Sequence, residues 1–376
     1  MKIGFLLPTV FASKTLFPDR IFAPGPLAVD TVNRLVKRGH EVWIFSTPDF
    51  QTDGILVPGD IEPFEKKLAY DKLKHAKDEE RRIRYDEIWK RSFEISLVAE
   101  AYKLAKKEHF DVMHSYHDFL FTPHFIEEVA QIPTIYTLHD PLPPEESFEY
   151  HQFEKFASHQ YVSISNSQRR STLPLNFVTT IYHGIWTENF PFEKAPLDYV
   201  LFMGRPVPEK GLDFAIQAAI LSNNKLEIGT HFPGAEKDTQ YYKKNIEPYL
   251  GNSLISEPGI VESDAKLRLY SQAKALLFPI QWEEPFGMVM IEAMACGTPV
   301  IAFKRGSVAE VVKDGVTGFV VDPDRGVEGL VEAIKRIDQI DRTVCRKHVA
   351  ENFSVEKMVD GYEKVYQKIL SEKSVS

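Results

Sequence analysis

Residues 281–299 read QWEEPFGMVMIEAMACGTP, with two carboxylates, Glu284 and Glu292, eight positions apart. An apolar run at 275–278 predicts a strand, and the pattern after it predicts a helix starting near Phe286-Gly287. A helix start offers backbone N–H groups without intrahelical partners and the positive end of the helix dipole. Gly287 lets an anion approach that backbone closely. The amides of Phe286, Gly287, Met288 and Val289 are therefore expected to bind a diphosphate, largely through main chain. The two acids do not suit a glycosidase acid/base pair. Eight helical residues span ~12 Å, beyond the ~5–9.5 Å such pairs use, and leave the two ~80° apart around the axis. They are better placed to grip two ends of one elongated ligand. Hydroxyl-rich ends with phosphates between them describe a nucleotide sugar.

A second group is Gly204-Arg205-Pro206-Val207-Pro208-Glu209-Lys210-Gly211. Arg205 can fork two phosphate oxygens, and Lys210 adds a point charge near the next helix start. Two cations suit a diphosphate leaving group whose charge grows as a sugar bond breaks. Alone, such charges are ordinary surface residues; beside the acidic segment they read as a site. His139, in Tyr136-Thr137-Leu138-His139-Asp140, follows a predicted strand and reads as a structural or a catalytic imidazole. No His/Cys/carboxylate spacing suggests a metal, so neither metal nor other cofactor is expected.

These residues need rigid elements beneath them. The chain has 376 residues, more than one core usually fills, so two domains are expected. Short apolar runs at 2–7 and 199–203 each lead through a Gly/Pro loop into a helical pattern, at 27–37 and 212–221. Each reads as the opening βα unit of a separate parallel-sheet domain. Further strands are predicted at 40–46, 111–114, 134–138, 162–165 and 179–182, then at 226–229, 254–256, 299–303 and 318–321. Residues 186–198, with Pro191 and Pro196, read as the linker. The charge-rich stretch 62–108 reads as a pair of solvated helices with one apolar stripe, or as an arm that meets an acceptor or a membrane surface. The formal charge of −9 argues against a nucleic-acid partner. Cys296 and Cys345 cannot build a disulfide framework, which suggests a reducing compartment. No signal-peptide core and no apolar run of ~18 residues is present, so a cytoplasmic protein is expected. Peripheral contact with the inner face of a membrane stays open.

The segment around Glu284 and Glu292 resembles the E-x7-E signature of retaining glycosyltransferases of family four, and Ala-Met-Ala-Cys-Gly-Thr-Pro-Val-Ile after it fits too. Residues 204–211 are similar to the family's G-R-x-x-x-x-K-G loop, and 137–140 to its T-x-H-D. Residues 163–167 and 181–185 resemble the segments leading out of the first domain. The resemblance is dense from about 200 to 325 and has no counterpart for 62–108.

The resemblance implies an α/β GT-B fold, two Rossmann-like doubly wound domains facing each other across a cleft and closing over the donor. The implied divisions are 1–190 on the acceptor side, 191–354 for the donor, and a helix at 355–376 returning to the first domain. It implies a retaining glycosyltransferase that moves a hexose from a UDP- or GDP-sugar to an acceptor hydroxyl. Glu292 would hold the ribose, Arg205, Lys210 and the 286–289 amides the diphosphate, Ile260 and Val261 the base, and Glu284 the sugar hydroxyls. His139 would meet the sugar near the reacting carbon. Two positions depart from the family: Ala23-Pro24-Gly25-Pro26 stands where many members have Gly-Gly, leaving only Gly25 for the donor phosphates, and Trp186-Thr187 stands where an aspartate is common. A nucleotide-sugar epimerase and a non-catalytic nucleotide-sugar binder are the alternative readings. The acceptor (another sugar, a lipid-linked intermediate or a small metabolite) and the oligomeric state are not legible.

Overall fold

Short apolar runs separated by helices become, in the computed structural model, two parallel sheets. It describes residues 1–17, 22–64, 66, 79–117, 120–230, 235–256, 259–261 and 263–373. The chain divides into two units: Met1–Ile164, Ser171–Ile181 and Met358–Ser376 form the first, Ser165–Arg170 and Tyr182–Lys357 the second.

The first unit's described strands are β1 (Lys2–Leu6), β2 (Glu41–Ser46), β3 (Ile55–Pro58), β4 (Val112–His117), β5 (Thr134–Leu138), β6 (Gln160–Ser163) and β7 (Phe177–Thr180). They pair in the order β3-β2-β1-β4-β5-β6-β7. A parallel sheet is covered on both faces, which is why β1 and β5 read as apolar runs rather than alternations. Between β1 and β2 runs α1 (Pro24–Lys37), with Pro24 at a first-turn position where its missing N–H costs little. Between β3 and β4 runs α2 (Glu79–Lys107), and α3 (Thr122–Ala130) and α4 (Phe148–Lys155) follow.

Helix α2 carries the apolar stripe expected within 62–108 and buries it in the core of the first unit. Its described part is one continuous helix, and Phe93, Leu97, Val98, Ala101, Tyr102 and Ala105 are buried with Leu6, Phe45, Phe110 and Met113. Residues 65 and 67–78 of that stretch lie outside the described residues. β3 was not anticipated, β4 runs on to His117, and β7 ends two residues before its expected end.

The second unit has β8 (Tyr199–Met203), β9 (Lys225–Thr230), β10 (Gly259–Ile260), β11 (Ala275–Phe278), β12 (Val300–Phe303) and β13 (Gly318–Val321), ordered β10-β9-β8-β11-β12-β13. Its helices are α5 (Leu212–Leu221), α6 (Gln240–Asn245), α7 (Ser263–Gln272), α8 (Met288–Ala295), α9 (Val308–Val311), α10 (Gly326–Lys335) and α11 (Arg342–Asn352). The strand expected at 254–256 is reduced to an isolated bridge from Ile255 to Leu226, and β10 takes the sheet edge.

Tyr182 to Ile185 belong to the second unit, earlier than the boundary expected near 190. The Ile185 N–H donates to the Phe353 carbonyl at 2.9 Å, and Gly184 lies so close to Ser354 that a Cβ would overlap its carbonyl. Residues 165–170 join them because Glu310 accepts from the Asn166 and Ser167 amides, both at 2.7 Å, and from the Tyr182 hydroxyl at 2.8 Å. The final helix, α12 (Val355–Lys373), belongs to the first unit from Met358 onward. There Tyr366 is buried with its hydroxyl 2.7 Å from His114 Nδ1, and Arg38 pairs with Asp360 and Glu363.

Candidate active site

In the second unit the strand order reverses between β8 and β11, where a doubly wound sheet opens a crevice outside its carboxyl ends. The 204–211 loop leaves β8 there and the 279–287 loop leaves β11. Main chain binds them together. The Gln281 N–H donates to the Glu209 carbonyl at 2.8 Å, and Gly211, with φ +69°, packs where a Cβ would overlap the Pro279 carbonyl. A third turn, after β12, supports the second loop. Ser307 N–H donates to the Glu284 carbonyl at 3.0 Å, its hydroxyl to the Phe286 carbonyl at 2.7 Å, and Gly306 N–H to Glu283 Oε2 at 2.7 Å.

Helix α8 begins at Met288, with Gly287 as its cap at φ +79°. Glu284 is thus in the loop, so the spacing worked out for eight helical residues does not describe the pair. Among the described residues, the amides of Phe286, Gly287, Met288 and Val289 have no acceptor; the first bond of the turn is Met290 N–H to the Gly287 carbonyl at 3.0 Å. Four adjacent donors at a helix start form an anion cradle. The Phe286 ring points away into a cluster with His183 and Phe353, so its main chain alone serves the cradle.

The charged side chains pair with one another. Lys210 Nζ lies 2.6 Å from Glu284 Oε2, which also accepts from Trp282 Nε1 at 2.8 Å. Glu292 Oε2 accepts from the Tyr270 hydroxyl at 2.9 Å and pairs with Lys266 at 2.8 Å. The Tyr270 hydroxyl is raised well above its ordinary value by burial and by Glu292, so it stays a donor. Arg205 is exposed just beyond β8. Ile260 and Val261 lie at the sheet edge, where Ile260 pairs with Thr230 and the Val261 N–H donates to the Thr230 carbonyl.

Two expected site residues belong to the first unit. His139 follows β5 with its ring 4.4 Å from that of Tyr116, and burial lowers its pKa to about 3. It is a neutral imidazole at pH 7. Gly25 is in the first turn of α1, but its N–H already donates to the Phe22 carbonyl at 3.0 Å, and Pro24 and Pro26 carry no N–H. That helix start is poorer in free donors than the one at Gly287.

A family model described as glycosyl transferases group 1 matches residues 187–350, and one described as glycosyltransferase family 4 matches residues 27–189. The uncharacterized glycosyltransferase MJ1178 of Methanocaldococcus jannaschii is 31% identical over 298 residues, covering 73% of this chain and 81% of that protein. The chain belongs to the group 1 glycosyltransferases. A second M. jannaschii glycosyltransferase, MJ1607, is 27% identical over 251 residues, 57% of this chain and 63% of its own length. Among solved structures, Anabaena Alr3699/HepE in complex with UDP-glucose superposes with a TM-score of 0.68 at 18% identity, covering 98% of this chain and 100% of that one. That likeness shows the GT-B fold, the architecture expected for this glycosyltransferase.

Several neighbours of the glycosyltransferase's expected site escaped the sequence reading. Lys266 and Tyr270 had a signal, since residues four apart share a helix face. Trp282 was quoted with the motif but given no task. Gly306 has φ +52° and abuts the Glu284 backbone, which no local spacing reveals. Among the described residues, no three His, Cys, Asp or Glu side chains converge as a metal site would, and no helix is long and apolar enough to cross a membrane.

Proposed function

We propose that this glycosyltransferase uses a nucleoside-diphosphate hexose, UDP- or GDP-linked, and transfers the hexose to an acceptor hydroxyl with retention at the anomeric carbon. The observation that carries this reading is the cradle of four amides beside Lys210, Glu284 and Glu292 at the carboxyl ends of β8 and β11. Arg205, Lys210 and the amides would take the growing charge of the leaving diphosphate. Glu292 would accept from the ribose and Glu284 from the sugar, while neutral His139 would offer a hydrogen bond without adding charge. The anomeric C–O bond to phosphate breaks as the bond to the acceptor oxygen forms. The acceptor's proton passes to the departing phosphate oxygen. The UDP-glucose in the Anabaena relative's structure supports a UDP-sugar as the first donor to try.

A thermal-shift screen against UDP-, GDP-, ADP- and dTDP-sugars tests the donor. Binding to the native state stabilises by RT ln(1 + [L]/Kd), about 2.7 kcal/mol at a hundredfold excess. A selective shift that disappears in Arg205→Ala/Lys210→Ala is the expected outcome, and none with any donor defeats the reading. Isomerised donor without a second substrate would mark an epimerase. Anomeric NMR signals of the product then decide retention against inversion.

A further inference from the structure

The two acids of the site are held in the same way. Each gives one oxygen, Oε2, to a lysine and to an aromatic N–H or O–H: Lys210 and Trp282 at Glu284, Lys266 and Tyr270 at Glu292. In each set the ammonium also lies over its aromatic partner, 4.9 Å from the Trp282 ring and 5.7 Å from the Tyr270 ring, within cation–π range. The other oxygen of each acid, Oε1, has no hydrogen bond or ion pair among the described residues.

We propose that Lys266 and Tyr270 are positioning residues for donor recognition, fixing Glu292 by Oε2 so that Oε1 faces the ribose hydroxyls. This rests on the nucleotide-sugar reading above. A glutamate alone on a helix samples several rotamers, and a ligand that fixes one must offset the lost freedom. Two donors on one oxygen remove that cost beforehand. Tyr270 is fully buried, so its hydroxyl has a fixed direction and needs an acceptor. Lys266, one turn earlier on α7, meets the same oxygen from the half-exposed side.

The test is calorimetric titration of wild type, Lys266→Met and Tyr270→Phe with UDP, GDP and ADP, and with the 2′-deoxy and 3′-deoxy forms of the one that binds. For wild type, removing the contacted hydroxyl should weaken binding about tenfold. In both variants ribonucleotide affinity should fall about three- to tenfold while deoxynucleotide affinity holds, so the ribo/deoxy ratio approaches one. A merely structural ion pair between α7 and α8 would weaken both nucleotides alike and preserve the ratio, which overturns the proposal. Should Tyr270→Phe fail to fold, the half-exposed Lys266→Met still reports the ratio. Wild-type protein that binds none of the three nucleotides defeats the donor-site reading and this proposal with it; wild type that binds but ignores the ribose hydroxyls defeats this proposal alone.

Discussion

Alanine should affect Gly25, expected to meet the donor phosphates, and Gly306, which no local spacing singled out, very differently. The Gly25 N–H is spent on Phe22, and an added Cβ would meet only side chains, the Phe22 ring at 3.3 Å and the Phe50 ring at 4.0 Å. Gly25→Ala is expected to leave donor affinity within about twofold, less than 0.5 kcal/mol. At Gly306 a Cβ would overlap the Glu284 nitrogen and carbonyl, and φ +52° adds strain of about 1 kcal/mol for any L-residue. Gly306→Ala should displace the Glu284 loop and lower kcat/KM at least tenfold, about 1.4 kcal/mol. Comparing kcat/KM for the two variants checks both; equal effects would contradict the assignment. Legibility follows the same division. The 286–289 amides could be read from a glycine at a helix start, a local pattern. The support from Gly306 and Ser307 comes from a different strand end, and the commitment of the Gly25 amide depends on a turn that residue types do not specify.

Helix α8 holds Glu292 only as firmly as α8 itself is held, and the fastening comes from α11. Arg346 donates to the carbonyls of Ala295, Phe190 and Thr187 at 2.6–2.9 Å. Arg342 reaches the carbonyls of Glu193, Ala273 and Ser271 and the Thr298 hydroxyl. Neither cluster includes a carboxylate, so each guanidinium satisfies several buried acceptors at once. Arg342→Met would leave those acceptors unpaired and should cost about 3 kcal/mol. Urea denaturation monitored by circular dichroism measures it, and a loss below about 1 kcal/mol would show the network to be dispensable. Central strands were legible as elements because burial on both faces leaves apolar runs, as in β1, β5, β11 and β12. The edge strands were missed because they are short: β3 has four residues ending in Pro58, and β10 has two beginning with Gly259. In α2 the apolar stripe was legible, but its partners Leu6, Phe45, Phe110 and Met113 come from other elements that no local spacing names.

At the scale of the molecule, buried histidines set how stability varies with pH. Burial holds His139 at about 3, and His114, enclosed by Tyr116, Tyr362, Tyr366 and His139, is also held well below its ordinary value. The unfolded chain protonates both near pH 6.5 and the native protein does not, so stability falls as pH drops through about 6.5. His159 has the opposite sign. Burial alone would lower it, but its ring N–H groups donate to the Glu127 and Glu128 carboxylates, whose hydrogen bonds and charge raise it overall, with His124 and Tyr136 packed beside the ring. Its contribution is complete below about pH 6.5 and is lost as pH rises through its folded pKa. The melting temperature should therefore fall from pH 7 to pH 5, and His159→Gln should flatten the decline on the alkaline side; a rise toward pH 5 in wild type would contradict this. Turnover should survive EDTA, and a strict Mg2+ or Mn2+ requirement would contradict the two-cation reading. The route of the chain adds a consequence for biosynthesis. The first unit draws its last helix from beyond Met358, after the whole second unit has been translated. At about 5–20 residues per second, the nascent first sheet waits roughly 10–35 s after Ile181 leaves the ribosome before Tyr362 and Tyr366 can close over His114. In that interval it exposes a buried histidine and apolar surface, and a chaperone would find its substrate there rather than in the second unit.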